Sequence, residues 1–152
     1  VLNSKFSFSM KTIFAKPISG NTRKWYVIDA KGQNLGRLST LIARKLAGRD
    51  RVDYTPHVDA GAYVIVTNVQ DVAVTGTKES VKMYRSHSQY LGGLKETNLA
   101  KMRQKNPAHI LRHAITGMLP KTRLQSAMIE RLKLVPGDAH VYEAQKPETL
   151  AA

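Results

Sequence analysis

The run WYVIDAKGQNLGRLSTLIARKLAG at residues 25–48, followed by AYVIVT at 62–67, decides the fold. Its first six residues are mostly aromatic and β-branched, and Asp29 and Gly32 then give the composition of a turn, so a short buried strand is expected at 25–30. Leu35, Leu38, Leu41, Ile42 and Leu46 recur at helical spacing, and Gly48 supplies a C-terminal stop. AYVIVT is a continuous apolar run too short for a helix, and VAVT at 72–75, closed by Gly76, reads as a second interior strand. Strand, helix and strand in that order make a βαβ unit. Strands that are hydrophobic almost throughout imply a parallel or mixed sheet covered on both faces, with a right-handed crossover.

With 152 residues, 42% of them hydrophobic, the chain has material for one domain with a core. Lysine and arginine number 24 against 11 acids, a net charge of +13, and a compact state carrying that charge repels itself unless an anionic partner neutralises it. Nucleic acid fits better than a membrane. The longest apolar stretches, such as 62–66, run to five residues, far short of the ~18 needed to span a bilayer. There is no cysteine, so no disulfide framework or thiolate metal site is expected. The opening VLNSKFSFS interleaves serine with apolar residues and makes a poor secretory signal; it reads as a tail or an upstream start, with a short organellar targeting remnant as the other reading.

Between residues 82 and 123 there are nine lysines or arginines and one acid, Glu96. Helices are expected at 96–105 and 107–116, Pro107 sitting at a tolerant first position and Gly117 ending the second. A third is expected at about 123–131, then a last short strand at 132–135 and an extended tail from Asp138.

Enzymatic chemistry finds no support in these residues. His109 and His113 in HILRH have the i, i+4 spacing of a zinc-protease helix, but Ile110 stands where the general-base glutamate belongs, so two histidines on a basic face are the preferred reading. No phosphate-binding glycine loop is present, and Asp53, His57, Asp59 and Ser39 form a triad only on paper. No cofactor, metal or small-molecule substrate is expected. The basic material carries more information. Tyr84, Arg85, Ser86, His87 and Tyr90 precede Gly92 and Gly93, combining rings that stack, donors for phosphate and a permissive backbone. In GMLPK, Met118 and Leu119 read as packing, while Lys121 and Arg123 follow a proline-fixed turn and are the better phosphate contacts.

The ordered set MKTIFAKP (10–17), WYVIDAKGQNLGRLST (25–40), YTPHVDAGAYVIVTN (54–68), VTGTK, LGGLK, GMLPK, RLKLVPG and AQKPE resembles the bacterial-type large-subunit ribosomal protein thirteen family, from about Met10 to Pro147. The resemblance implies an α/β fold: a three-layer α/β/α arrangement whose central, largely parallel sheet of about four strands carries basic loops and an extended C-terminal tail. It also implies no catalysis, binding to large-subunit rRNA early in assembly, and neighbouring ribosomal proteins as further partners. The chain departs from the family pattern at Ser86, Ser88 and Gln89, where only His87 is retained, at Thr122, Gln125 and Ser126, and at Val141 and Tyr142 beside His140. The usual start falls at Met10, after residues 1–9.

The expected organisation is an irregular extension at 1–15, one rRNA-binding domain at 16–137 and a tail at 138–152. The expected contacts are Arg37, Arg44, Lys45 and Arg49 on and after the first helix, and Tyr54 and His57 in YTPHVD. In the next stretch they are Lys82, Tyr84, Arg85, His87, Tyr90, Gly92, Gly93 and Lys95, and further on Arg112, Lys121, Arg123, Lys133 and His140. A ribosome, bacterial and cytoplasmic or else organellar, is the expected location. A basic DNA-binding or chromatin-like module is the alternative that the charge allows equally well, although no recognisable reading helix supports it.

Overall fold

The computed structural model describes residues 15–18 and 22–150, so the segment at 1–9 and most of the expected extension lie outside the described residues. In chain order the elements are β1 (Trp25–Asp29), α1 (Leu35–Ala47), β2 (Tyr63–Thr67), α2 (Lys78–Val81), β3 (Met83–His87) and β4 (Leu94–Asn98). They continue with α3 (Leu99–Lys105), α4 (Pro107–Met118), α5 (Leu124–Glu130), β5 (Leu132–Leu134) and β6 (Glu148–Thr149). The fold is α/β: a central parallel sheet of four strands, ordered β5-β2-β1-β6, flanked by helices, with a separate β3-β4 hairpin.

The βαβ unit forms where the apolar pattern places it. β1 and β2 run parallel, with Trp25 opposite Tyr63 and Asp29 opposite Thr67. Side chains alternate between the faces of a strand. Ile28, Val64, Val66 and Leu132 share a face and join one core with Leu38, Ile42 and Leu46 of α1, Ile110, Leu111 and Ile115 of α4, and Met128 of α5. On the opposite face the C-terminal segment crosses, Tyr142 stacking on Trp25 at 5.7 Å. α1 begins where the Asn34 side chain accepts the Gly36 N–H at 3.1 Å, and it ends at Gly48, whose φ of +73° lies in the left-handed region. A side chain there is strained by about 1–2 kcal/mol, and a Cβ would also press on the Ala60 carbonyl at 3.0 Å. Gly48→Ala is therefore expected to lower stability by at least about 1 kcal/mol in urea denaturation.

Three expectations are corrected. Residues 72–75 form no strand: Asn68, at φ 54°, ends β2, a 3-10 turn at Val69–Asp71 redirects the chain, and Ala73 makes only an isolated bridge to Asn34. β5 takes the place beside β2. Helix α3 starts at Leu99, because Asn98 caps it by accepting the Lys101 N–H at 3.0 Å, and Glu96 belongs instead to β4, paired across the hairpin with Arg85. Gly117 lies inside α4, which runs on to Met118. The helix after Arg123 and the strand after Arg131 form as read. The segment after Gly137 returns to the sheet, where β6 pairs with β1.

Candidate nucleic-acid interface

Three basic surfaces stand around this frame. The first is α1 and the loop that follows it. Arg37, Leu41 and Arg44 share a helix face and, with Thr40 and Lys45, line a groove of about 510 Å³. Arg37, Arg44 and Arg49 are exposed, and none has an acidic partner among the described residues. Lys45 differs from them: it bonds Asp50 at 2.6 Å and sits 4.8 Å over the Tyr26 ring, so its charge is already engaged. Tyr54 is half-buried and His57 exposed on the loop.

The loop is clamped at its far end. Arg131, buried between α5 and β5, donates Nη1 to Asp59 Oδ2 at 2.6 Å and Nη2 to Asp59 Oδ1 at 2.7 Å, with a further bond from Nη2 to the Leu46 carbonyl at 3.2 Å. Arg23 reaches the same carboxylate at 3.2 Å and the Gly61 carbonyl at 2.6 Å. Two guanidinium groups thus share one carboxylate, and the pairing fixes where the 49–58 loop leaves and rejoins the core. Gly61 fits there only because it lacks a side chain: a Cβ would overlap the Leu46 carbonyl oxygen.

The second surface is the β3-β4 hairpin. Lys82, Arg85, His87, Tyr90 and Lys95 are exposed, and Arg85 is paired with Glu96 at 2.6 Å. Tyr84 is not available for stacking on a ligand. It is 8% exposed, its ring meets His109 and His113 edge-on at 6.1 and 5.5 Å, and burial pushes its phenol above its ordinary pKa. The HILRH histidines therefore seat the hairpin on α4, their rings 5.9 Å apart. Among the described residues no group of three or more His, Cys, Asp or Glu is placed to hold a metal ion. Gly92 and Gly93 make the turn: Gly92 has φ +71°, and a Cβ on Gly93 would collide with Ser88 Oγ.

The third surface joins the end of α4 to the C-terminal segment. Lys121 and Arg123 are exposed after Pro120 and carry no ion pair among the described residues. Arg112 and Lys133 line a cavity of about 370 Å³ with Glu130 and Tyr142. His140 stacks on Tyr142 at 6.5 Å.

A model of the family described as ribosomal protein L13 matches residues 23–141. The chain belongs to the ribosomal protein L13 family. It is 48% identical to large ribosomal subunit protein uL13 of Methylococcus capsulatus over 141 residues, covering 93% of this chain and 99% of that protein. The protein of the same name from Pseudomonas putida is 49% identical, and that from Agathobacter rectalis 48%, with the same coverage.

In this L13-family chain several residues outside the expected contacts shape the surfaces, and His140 is joined through Tyr142 to partners that its sequence neighbourhood does not reveal. Arg23, Asp59 and Arg131 form the clamp, and Arg103, counted among the basic stretch, is spent internally on Glu79 and on the Gln70 and Val72 carbonyls. Tyr63, Trp25, Tyr142 and His140 form a column of rings, the first two 4.1 Å apart and nearly parallel. The sequence offered one signal for the clamp: an aspartate and a glycine, Asp59 and Gly61, flanking an alanine just before the most apolar strand, where a free charge would be costly.

Proposed function

We infer that this chain is a structural, non-catalytic constituent of the large ribosomal subunit of a bacterial or organellar ribosome. It binds large-subunit rRNA, supports subunit assembly and abuts neighbouring ribosomal proteins. The observation that carries this reading is a group of exposed cations without acidic partners among the described residues, including Arg37, Arg44, Arg49, Lys82, Lys95, Arg112, Lys121 and Arg123, spread over three surfaces of an L13-family chain of net charge +13. Such groups bind phosphate and release counterions, while fit to the folded RNA supplies specificity. Tyr54, His57, Arg85, His87, Tyr90, Gly92, Gly93, Lys133 and His140 complete the contact surface. Lys45 and Tyr84 support it from behind, by orienting the α1 loop and the hairpin.

Replacing Lys121 and Arg123 together by alanine is expected to weaken binding to a large-subunit rRNA transcript and to flatten the slope of log affinity against log salt by about 1.4–1.8, at about 0.7–0.9 for each contact. A salt titration of the full-length protein measures this. A fall in affinity with the slope unchanged would assign the effect to packing at the GMLPK turn. Equal displacement of the transcript by duplex DNA would overturn the rRNA reading in favour of a general DNA-binding module.

A further inference from the structure

We propose that the tip of the β3-β4 hairpin is a wedge for one unpaired base: Tyr90 stacks on the base and Leu91 fills the space that it vacates. The proposal rests on the rRNA reading above and adds to it a contact that is apolar instead of electrostatic. Leu91 is fully exposed, Tyr90 is 79% exposed and Leu94, just below, 57%. Apolar side chains standing clear of the surface at a single tip have nothing within the described chain to cover them. An ordinary solvated turn would carry polar residues there.

The tip is also held in shape. The Gly93 N–H donates to the Tyr90 carbonyl at 2.9 Å, the Ser88 N–H to the Gly93 carbonyl at 3.2 Å, and the Gln89 N–H to His87 Nδ1 at 3.0 Å. Gln89 and Gly92 both adopt left-handed backbone, with φ 70° and 71°. Tyr84, locked against His109 and His113, anchors the base of the ribbon. A preorganised loop gives up little further freedom on binding.

Charge selects the occupant. Residues 82–95 contain Lys82, Arg85 and Lys95 and no acid, and the nearest carboxylate, Glu96, is held by Arg85 at 2.6 Å. A ring and an aliphatic side chain set among cations suit a polyanion with an exposed π-face. In A-form RNA the faces of paired bases are covered by stacking, whereas bases in bulges and loops can be splayed out and stacked on aromatic rings.

The experiment compares Tyr90→Ala, Leu91→Ser, Tyr90→Trp and Lys95→Ala in the full-length protein against a large-subunit rRNA transcript across a salt series. Because the two tip side chains touch no core residue, their substitutions leave folding intact, which thermal melts check. Tyr90→Ala is expected to weaken binding about fivefold to a hundredfold with the salt slope unchanged. Tyr90→Trp is expected to restore binding, and Lys95→Ala to flatten the slope. One unpaired nucleotide protected from base-modifying reagents by the wild type should regain reactivity with Tyr90→Ala. If both tip variants bind like the wild type while Lys95→Ala flattens the slope, the wedge is wrong and the rRNA reading stands. If the tip variants fail only in reconstitution with other ribosomal proteins, the tip is a protein contact and the wedge is likewise overturned. A wild-type protein that ignores the transcript sinks both.

Discussion

Asp59→Ala is expected to destabilise the protein by about 3–5 kcal/mol, because it removes the one carboxylate shared by two guanidinium groups inside the fold. The Arg131 and Arg23 side chains are only 6% and 9% exposed, so neither can recover much hydration where it stands. Arg131 is already at the limit of its partners: its Nε is buried without a hydrogen bond. What remains after the substitution is a pair of like charges out of water, which is far worse than the loss of one favourable contact. The clamp is unlike the Arg85–Glu96 pair on the hairpin, which is open to solvent and of a kind that stabilises little. A shift in the urea midpoint at unchanged m-value measures the loss. A change below about 1 kcal/mol would mean that water reaches the arginines and that the clamp is ordinary surface pairing.

Gly61→Ala is the second large effect. The added methyl would have to occupy the position of the Leu46 carbonyl oxygen, and it would also come within 3.0 Å of Arg131 Nη2. Leu46 is fully buried in the last turn of α1, and its carbonyl accepts from Arg131, so neither side can give way without disturbing helix and clamp together. Overpacking usually costs about 1–3 kcal/mol where side chains can rearrange. Here the obstacle is backbone, so the expected loss lies at or beyond the top of that range, read as a fall in melting temperature and in soluble yield. A Gly61→Ala protein with the wild-type melting temperature would show that the loop has another route to β2.

The parts of the fold legible in the sequence were those with dense periodic burial. β1, α1 and β2 each carry a run of apolar residues whose period matches the element, and the helix stop at Gly48 is a single residue with one mechanism. The hairpin strands, MYRSH and LKETN, bury only Tyr84 of their ten residues, so the alternation that marks a strand was missing. Residues 72–75 misled for the opposite reason: Val72 and Val74 are apolar because they pack against helices, not because they join a sheet. The two-residue β6 is too short to leave a pattern.

For the candidate site, residue type was legible and availability was not. Lys45 and Arg44 are neighbours in sequence, yet only Lys45 finds Asp50 and a ring. Tyr84 and Tyr90 sit in one basic stretch, and strand alternation turns the first inward while the turn lifts the second out. Asp59 and Arg131 stand 72 positions apart, a separation at which no local pattern links a charge to its partner.

The strand order has a bearing on synthesis. The two inner strands, β1 and β2, are complete by Thr67, while both outer ones, β5 and β6, follow α4 and lie within residues 132–149. A nascent chain that has emerged as far as α4 therefore carries a two-stranded sheet with both rims bare, a state open to pairing with other chains. Only once residues 132–149 have emerged can those rims be closed.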